Sequence, residues 1–202
     1  ISRIGIQIAK GLGAFHARDL VHRDLKPSNI LLQKSDGRVR ITDFGLAKCI
    51  DDNQLTKTGT VLGTPHYMSP EQALGKRIDY RSDIYGLGAV LYAATTGKAP
   101  YNAATALQIL HQLREQKPRS ILDLKPDVPL WLVQIIEKLM ARNPEERYQN
   151  SEEIVNALSA AQPLLPENRP DPQQAPPSGN RFSIAAICAA VTLLAASYLA
   201  WY

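Results

Sequence analysis

The string His22-Arg23-Asp24-Leu25-Lys26-Pro27-Ser28-Asn29 puts a carboxylate, an ammonium and a carboxamide within a few residues of one another, and Asp43-Phe44-Gly45 adds a second carboxylate close behind. Asp24 can accept, or at least orient, the proton of a hydroxyl group. Lys26, two residues on, can reach a phosphate and offset its charge. Asn29 and Asp43 offer hard oxygen donors of the kind Mg²⁺ takes when it also bridges phosphate oxygens. A base, a phosphate-facing cation and two oxygen ligands are the equipment for moving a phosphoryl group from ATP to a hydroxyl. A lone aspartate in a polar string would be an ordinary surface carboxylate. The combination and its spacing carry the signal.

These residues need a scaffold. Ile4, Ile8, Leu12 and Phe15 recur at helical spacing, so an amphipathic helix is predicted ahead of the string. Val39-Arg40-Ile41 reads as a short strand leading to Asp43. From Cys49 to Gly63 the chain is polar and rich in Thr, Asp, Gln and Gly, the composition of a loop. Residues 80–96 carry Ile84, Leu87, Val90, Leu91 and Tyr92 on nearly all sides, which suits a helix buried at the centre of a helical domain. Further helices are expected near 103–116, 130–140 and 151–160, with Asn143-Pro144 between the last two. Gly11-Leu12-Gly13 lies inside a helical pattern and reads as a packing feature.

The chain has 202 residues, 45% hydrophobic and 21% charged, with a formal net charge of +4. Those values suit one globular domain with a remainder. The basic residues are scattered, so nucleic-acid binding is not expected. Two cysteines, Cys49 and Cys188, give neither a disulfide framework nor metal-ligand spacing. Residues 1–162 read as the domain. Residues 163–181 hold Pro163, Pro166, Pro170, Pro172, Pro176 and Pro177 and read as an extended linker. Residues 182–202 carry no charge, span roughly 31 Å as a helix, and end in Trp201 and Tyr202, so they read as a transmembrane helix. Arg169 and Arg181 on the domain side place the domain in the cytoplasm. Ala186 and Ala190 offer a weak packing face for a homodimer.

With those motifs in view, the chain resembles the C-terminal lobe of eukaryotic-like serine/threonine protein kinases of the bacterial receptor type, over about residues 1–160. Gly63-Thr64-Pro65-His66-Tyr67-Met68-Ser69-Pro70-Glu71 resembles their substrate-positioning loop, with Ser-Pro-Glu for the commoner Ala-Pro-Glu. The resemblance implies a mainly α fold, a kinase-like C-terminal lobe with a short β-hairpin region around the catalytic loop. It implies Asp24, Lys26 and Thr64 as catalytic residues and Asn29 and Asp43 as ligands of Mg²⁺. ATP would be co-substrate and protein Ser/Thr the acceptor. Asp83 matches the aspartate that braces the catalytic-loop backbone. Arg147 matches the arginine that pairs with Glu71. Thr56 and Thr58 are the expected activation-loop phosphorylation sites, read by Arg23 with Lys48.

Kinases also need a glycine-rich loop and a strand lysine over the phosphates. Neither a Gly-x-Gly-x-x-Gly nor a Val-Ala-x-Lys occurs in these residues. Two readings follow. The chain is the C-terminal part of a membrane-anchored serine/threonine kinase and inactive by itself, or it is a catalytically inactive, membrane-tethered binding module.

Overall fold

Residues 80–96 carry apolar side chains nearly all round because most of this helix's surface meets protein. In the computed structural model, which describes residues 1–43 and 65–160, this segment is a 16-residue helix, Arg81–Thr96, closed by Gly97 in the left-handed conformation at φ 75°. Glycine takes that conformation without a Cβ clash, which is why it ends so many helices. Ile84, Leu87 and Leu91 are at most 1% exposed. Twelve of the helix's sixteen residues are buried, so it is the axle on which the others are mounted.

In chain order the elements are α1 (Ser2–His16), β1 (Ile30–Leu32), β2 (Val39–Ile41), α2 (Pro70–Ala73), α3 (Arg81–Thr96), α4 (Ala106–Glu115), α5 (Ile121–Leu124), α6 (Leu130–Leu139) and α7 (Ser151–Ala160). The described residues all belong to one compact unit, Ile1–Leu164. The result is mainly helical, with a single two-stranded sheet among the described residues. The strands are antiparallel, with Ile30 opposite Ile41 and Leu32 opposite Val39. Gln7 of α1 holds this hairpin by its side chain, accepting from the Val39 amide at 3.0 Å and donating to the Gly37 carbonyl at 3.1 Å.

One core unites α1, α3, α6 and α7 through Ile8, Leu12, Leu87, Leu91, Ile136, Leu139, Ile154 and Leu158. A smaller cluster of Tyr101, Ile109 and Leu113 seats α4. Caps fix where two helices begin. Ser69 and Thr105 each accept from the backbone amide three residues on, while Gln72 and Gln108 reach back to the cap amides.

The predicted helices are present at 2–16, 81–96, 106–115, 130–139 and 151–160. The short β-hairpin that the resemblance implies is present, although only its second strand was placed from the residues; two four-residue helices, α2 and α5, were not read from the sequence. The Gly11-Leu12-Gly13 segment is a packing feature. A Cβ on Gly11 would stand 3.0 Å from Ile41 Cδ1, and one on Gly13 2.2 Å from Ser151 Oγ. No helix among the described residues is long and apolar enough to cross a membrane. The linker 163–181 and the charge-free stretch 182–202 lie outside the described residues.

Where α3 crosses α6, Gly88 allows a close approach. A Cβ there would lie 2.7 Å from Leu139 Cβ and 2.7 Å from Met140 Cγ. In an exposed helix, Gly→Ala stabilises by about 0.8–1 kcal/mol. Here overpacking should reverse the sign. Gly88→Ala is expected to lose about 1–3 kcal/mol, read as a lower urea midpoint with an unchanged slope. An unchanged or raised midpoint would show that α6 can move aside.

Candidate active site

The string His22–Asn29 folds around a buried carboxylate. Asp83, in the first turn of α3 and 1% exposed, accepts from two successive backbone amides, His22 N to Oδ2 and Arg23 N to Oδ1, each at 2.8 Å. His16, the last residue of α1, adds its Nε2 at 2.9 Å from Asp83 Oδ2. Successive amides beside a left-handed residue form a concavity that takes an anion. Arg23 supplies that residue, with φ 66°. Such a conformation in a non-glycine residue costs of order 1–3 kcal/mol and persists only where its surroundings enforce it. The two bonds to Asp83 and one at the Arg23 carbonyl, which accepts from Gln72 Nε2 at 2.7 Å, do that here.

His22 carries the order onward. It is 2% exposed. Its Nδ1 accepts from the Asp24 amide at 3.3 Å, so Nε2 holds the ring proton and donates to the Thr42 carbonyl at 2.9 Å. One imidazole therefore links the backbone at Asp24 to the backbone just before Asp43. Leu25, 4% exposed, anchors the string between them. α3 admits it closely at Gly86, where a Cβ would lie 3.1 Å from Leu25 Cβ.

The functional side chains then converge. Lys26 Nζ stands 2.7 Å from Asp24 Oδ2, and both side chains are open to solvent in part, at 30% and 46%. Asn29 is 4% exposed. Its Nδ2 donates to the Asp24 carbonyl at 2.9 Å and lies 3.5 Å from Asp24 Oδ2. Its backbone carbonyl accepts from Thr42 N at 2.9 Å, so the hairpin register sets Asp43 one residue beyond the partner of Asn29. Asp43 is exposed with φ 59°. Asp24, Lys26, Asn29 and the Asp43 backbone are thus held together, and Arg23 sits beside them on the surface. Thr64, Lys48, Thr56 and Thr58 lie outside the described residues, as do Phe44 and Gly45.

A second buried group holds the segment that follows. Glu71 and Arg147 are 7% and 2% exposed and pair through two bonds of 2.8 Å. Arg147 also donates to the carbonyls of Arg81 and Ala141 at 2.8 Å and of Arg142 at 3.2 Å. Its guanidinium lies 5.0 Å from the Tyr85 ring centroid. Ser82 donates to Glu71 Oε1 at 2.6 Å. Burial works against ionisation of Glu71 and is the largest single influence. The Arg147 bonds, its charge and the Ser82 hydroxyl together outweigh it, so the pKa falls below the usual glutamate value. Asp79 is lowered likewise, with burial outweighed by Arg81. Arg81 in turn bridges Asp79 and Glu145.

Sequence reading missed His16 and Gln72. His16 closes an amphipathic helix, where a histidine reads as a terminal polar residue. Gln72 carries one signal, the Ser-x-x-Gln spacing of a capping box, and nothing in that spacing shows its bond to Arg23.

The protein kinase domain model matches residues 1–158, and the chain belongs to the protein kinase family. It is 42% identical over 153 residues to a probable serine/threonine-protein kinase of Clostridium acetobutylicum, covering 76% of this chain and 23% of that protein. It is 40% identical over 174 residues to the serine/threonine-protein kinase PknA of Mycobacterium tuberculosis, covering 86% of this chain and 39% of the relative. A serine/threonine-protein kinase of Myxococcus xanthus is 42% identical over 161 residues, covering 77% and 23%. The chain therefore spans only about a quarter to two-fifths of the length of these relatives.

Glu71 tests the electrostatics. Glu71→Gln leaves the buried Arg147 charge uncompensated and should cost about 3–5 kcal/mol at pH 7. A lowered folded-state pKa gives stability that is complete above the unfolded value, about 4.3, and is lost as pH falls through the folded value. The wild-type advantage should therefore shrink between pH 5 and pH 3 (roughly, around that reference value). Urea midpoints of both proteins across this range check it; a constant gap would assign the stability to packing alone.

Proposed function

We propose that this chain is the substrate-side part of a serine/threonine protein kinase, in which Asp24 serves the acceptor hydroxyl and Lys26 the transferred phosphoryl group. The observation that carries the reading is the convergence on Asp24: Lys26 Nζ at 2.7 Å and Asn29 Nδ2 within 3.5 Å of the same carboxylate oxygen, Oδ2. Among the described residues no hydrogen bond is made to its other oxygen, Oδ1, which can receive a hydroxyl proton. Lys26, paired with that carboxylate and partly open to solvent, can reach an incoming phosphate.

The donors present fit Mg²⁺. Asn29 commits its Nδ2 to Asp24, which turns the amide so that Oδ1, met within the protein by the Ser28 hydroxyl at 3.3 Å, is the atom a cation could share. Asp43 presents an exposed carboxylate. Mg²⁺ is ordinarily held by one or two carboxylates with substrate phosphates completing its shell, and needs no protein cage. Among the described residues no group of three His, Cys, Asp or Glu residues could hold a metal alone. Asn29 and Asp43 would hold the ion, which when bound with ATP neutralises phosphate charge.

Phosphate transfer from radiolabelled Mg-ATP to serine or threonine in a protein, by the full-length protein carrying this chain, tests the proposal. Asp24→Asn is expected to lower the rate about 10²–10⁴-fold, the range for loss of a general base, and Asp43→Asn by a comparable factor. An unchanged rate in either variant would sink its assigned role. Nucleotide binding with no transfer by the wild type would favour the inactive binding module.

We further infer a membrane tether through residues 182–202, supported by their lack of charge and by the proline-rich stretch before them. With Arg169 and Arg181 on the near side, the domain should face the cytoplasm. Protease added outside intact cells should spare residues 1–162, and their digestion would reverse the assignment.

A further inference from the structure

Gln72 stands in two structures at once. Through Oε1 it accepts from the Ser69 amide at 2.9 Å, completing the capping box of α2. Through Nε2 it donates to the Arg23 carbonyl at 2.7 Å, a contact 49 residues away in sequence. The chemistry of the partners fixes which end of the amide is which. A backbone N–H needs an acceptor and a backbone carbonyl needs a donor, so flipping the group would break both bonds.

The Arg23 carbonyl belongs to the same peptide unit as the Asp24 amide. That unit leads from the left-handed Arg23 into the residue assigned as base. Its near side is fixed by Asp83 holding the His22 and Arg23 amides, and the Asp24 N–H is directed at His22 Nδ1. The Gln72 amide supplies the remaining contact, to the carbonyl oxygen. It comes from α2, the short helix that follows the substrate-loop residues Pro65–Tyr67. Gln72 also lines, with Asp24, Lys26, Tyr67 and Met68, a narrow cleft at the base. Displacing α2 therefore pulls on the peptide before Asp24.

We propose that Gln72 is a positioning residue for phosphoryl transfer, its side-chain amide tying the seating of α2 and the substrate loop to the orientation of Asp24. The catalytic half of this inference rests on the proposed function; the physical tie does not. Gln72 acts through Arg23 and touches no reacting atom. Its loss should lower turnover with little effect on ATP affinity, because the Asn29 and Asp43 oxygens stay where they are.

The variant that isolates the tie is Gln72→Glu. A carboxylate still accepts from Ser69 N and keeps that half of the capping box, but it has no donor for the Arg23 carbonyl. Ser69→Ala is the control: it removes the hydroxyl that accepts from Gln72 N at 3.4 Å and leaves the amide tie in place. Kinetics on the full-length protein should show kcat reduced about 5- to 20-fold in Gln72→Glu with KM for ATP within about twofold, a loss of the size expected when a base is misplaced by a fraction of an ångström. Ser69→Ala, which weakens the cap of α2, should lose clearly less kcat than Gln72→Glu. In ¹⁵N-labelled chain, the Asp24 amide resonance should shift in Gln72→Glu and not in Ser69→Ala, because losing a bond to a carbonyl changes the polarisation of its own peptide unit. Equal kcat losses in the two variants would overturn the proposal in favour of helix capping. A shifted Asp24 amide with unchanged kcat would overturn the positioning role, and an unshifted amide would overturn the tie itself. If the wild type transfers no phosphate, the proposed function falls, and the Asp24 resonance still decides whether the tie exists.

Discussion

The Asp83 carboxylate is the fixed point of this molecule. Buried groups of its kind usually find a cation, yet Asp83 is met by two backbone amides and a histidine. That choice of partners has a structural effect a lysine could not produce. A lysine would neutralise charge but leave the loop backbone free. Two amides from adjacent residues can meet one carboxylate only if the chain between them bends, and the bend is the left-handed Arg23. The orientation of Asp24, the route of His22 to Thr42 and the place of Asn29 follow from it. Because Asp83 is carried by a helix with twelve of its sixteen residues buried, the bend inherits the rigidity of the core.

Glu71 and Arg147 solve the complementary problem. There the buried carboxylate does meet a cation, and the guanidinium's remaining donors go to three carbonyls. No buried polar side-chain atom among the described residues lacks a partner. A buried ion pair of this kind adds little over a well-packed apolar pair and is costly to break. Its contribution is to join α2, the start of α3 and the segment after α6 in one arrangement. The two carboxylates enter through the same stretch: Ser82 bonds Glu71, and Asp83 follows it in the chain.

Much of this was legible before any coordinates. The all-round apolar pattern of residues 81–96 announces a buried helix because burial on every side removes the polar face. The eight-residue string and Asp43 stand out because the proposed chemistry needs those side chains at those separations. Legibility ended where a contact joins segments far apart in the chain and no motif marks it. The Gln72 bond and the His16 contact depend on where distant segments cross, and a sequence pattern is silent on that. The strand Ile30–Leu32 was hidden for another reason. Its two leucines are exposed, at 52% and 55%, so it shows no alternation, and its three residues abut the catalytic string with no turn between. The helices at 70–73 and 121–124 are too short to display a helical period at all.

The spans of chain between these partners set an order of events during synthesis. Glu71 and Arg147 are 76 residues apart, and His16 and Asp83 are 67 apart. At about 5–20 residues per second, a ribosome that has placed Glu71 in the nascent chain needs roughly 4–15 s more to supply its arginine. The first helix waits longer, since Gly13 packs against Ser151 of the last. Until then α1 has an apolar face with no lasting cover. The arrangement around Asp24 therefore cannot be completed piecemeal from the N-terminus: it is assembled late, when the far end of the domain arrives to close the core behind it.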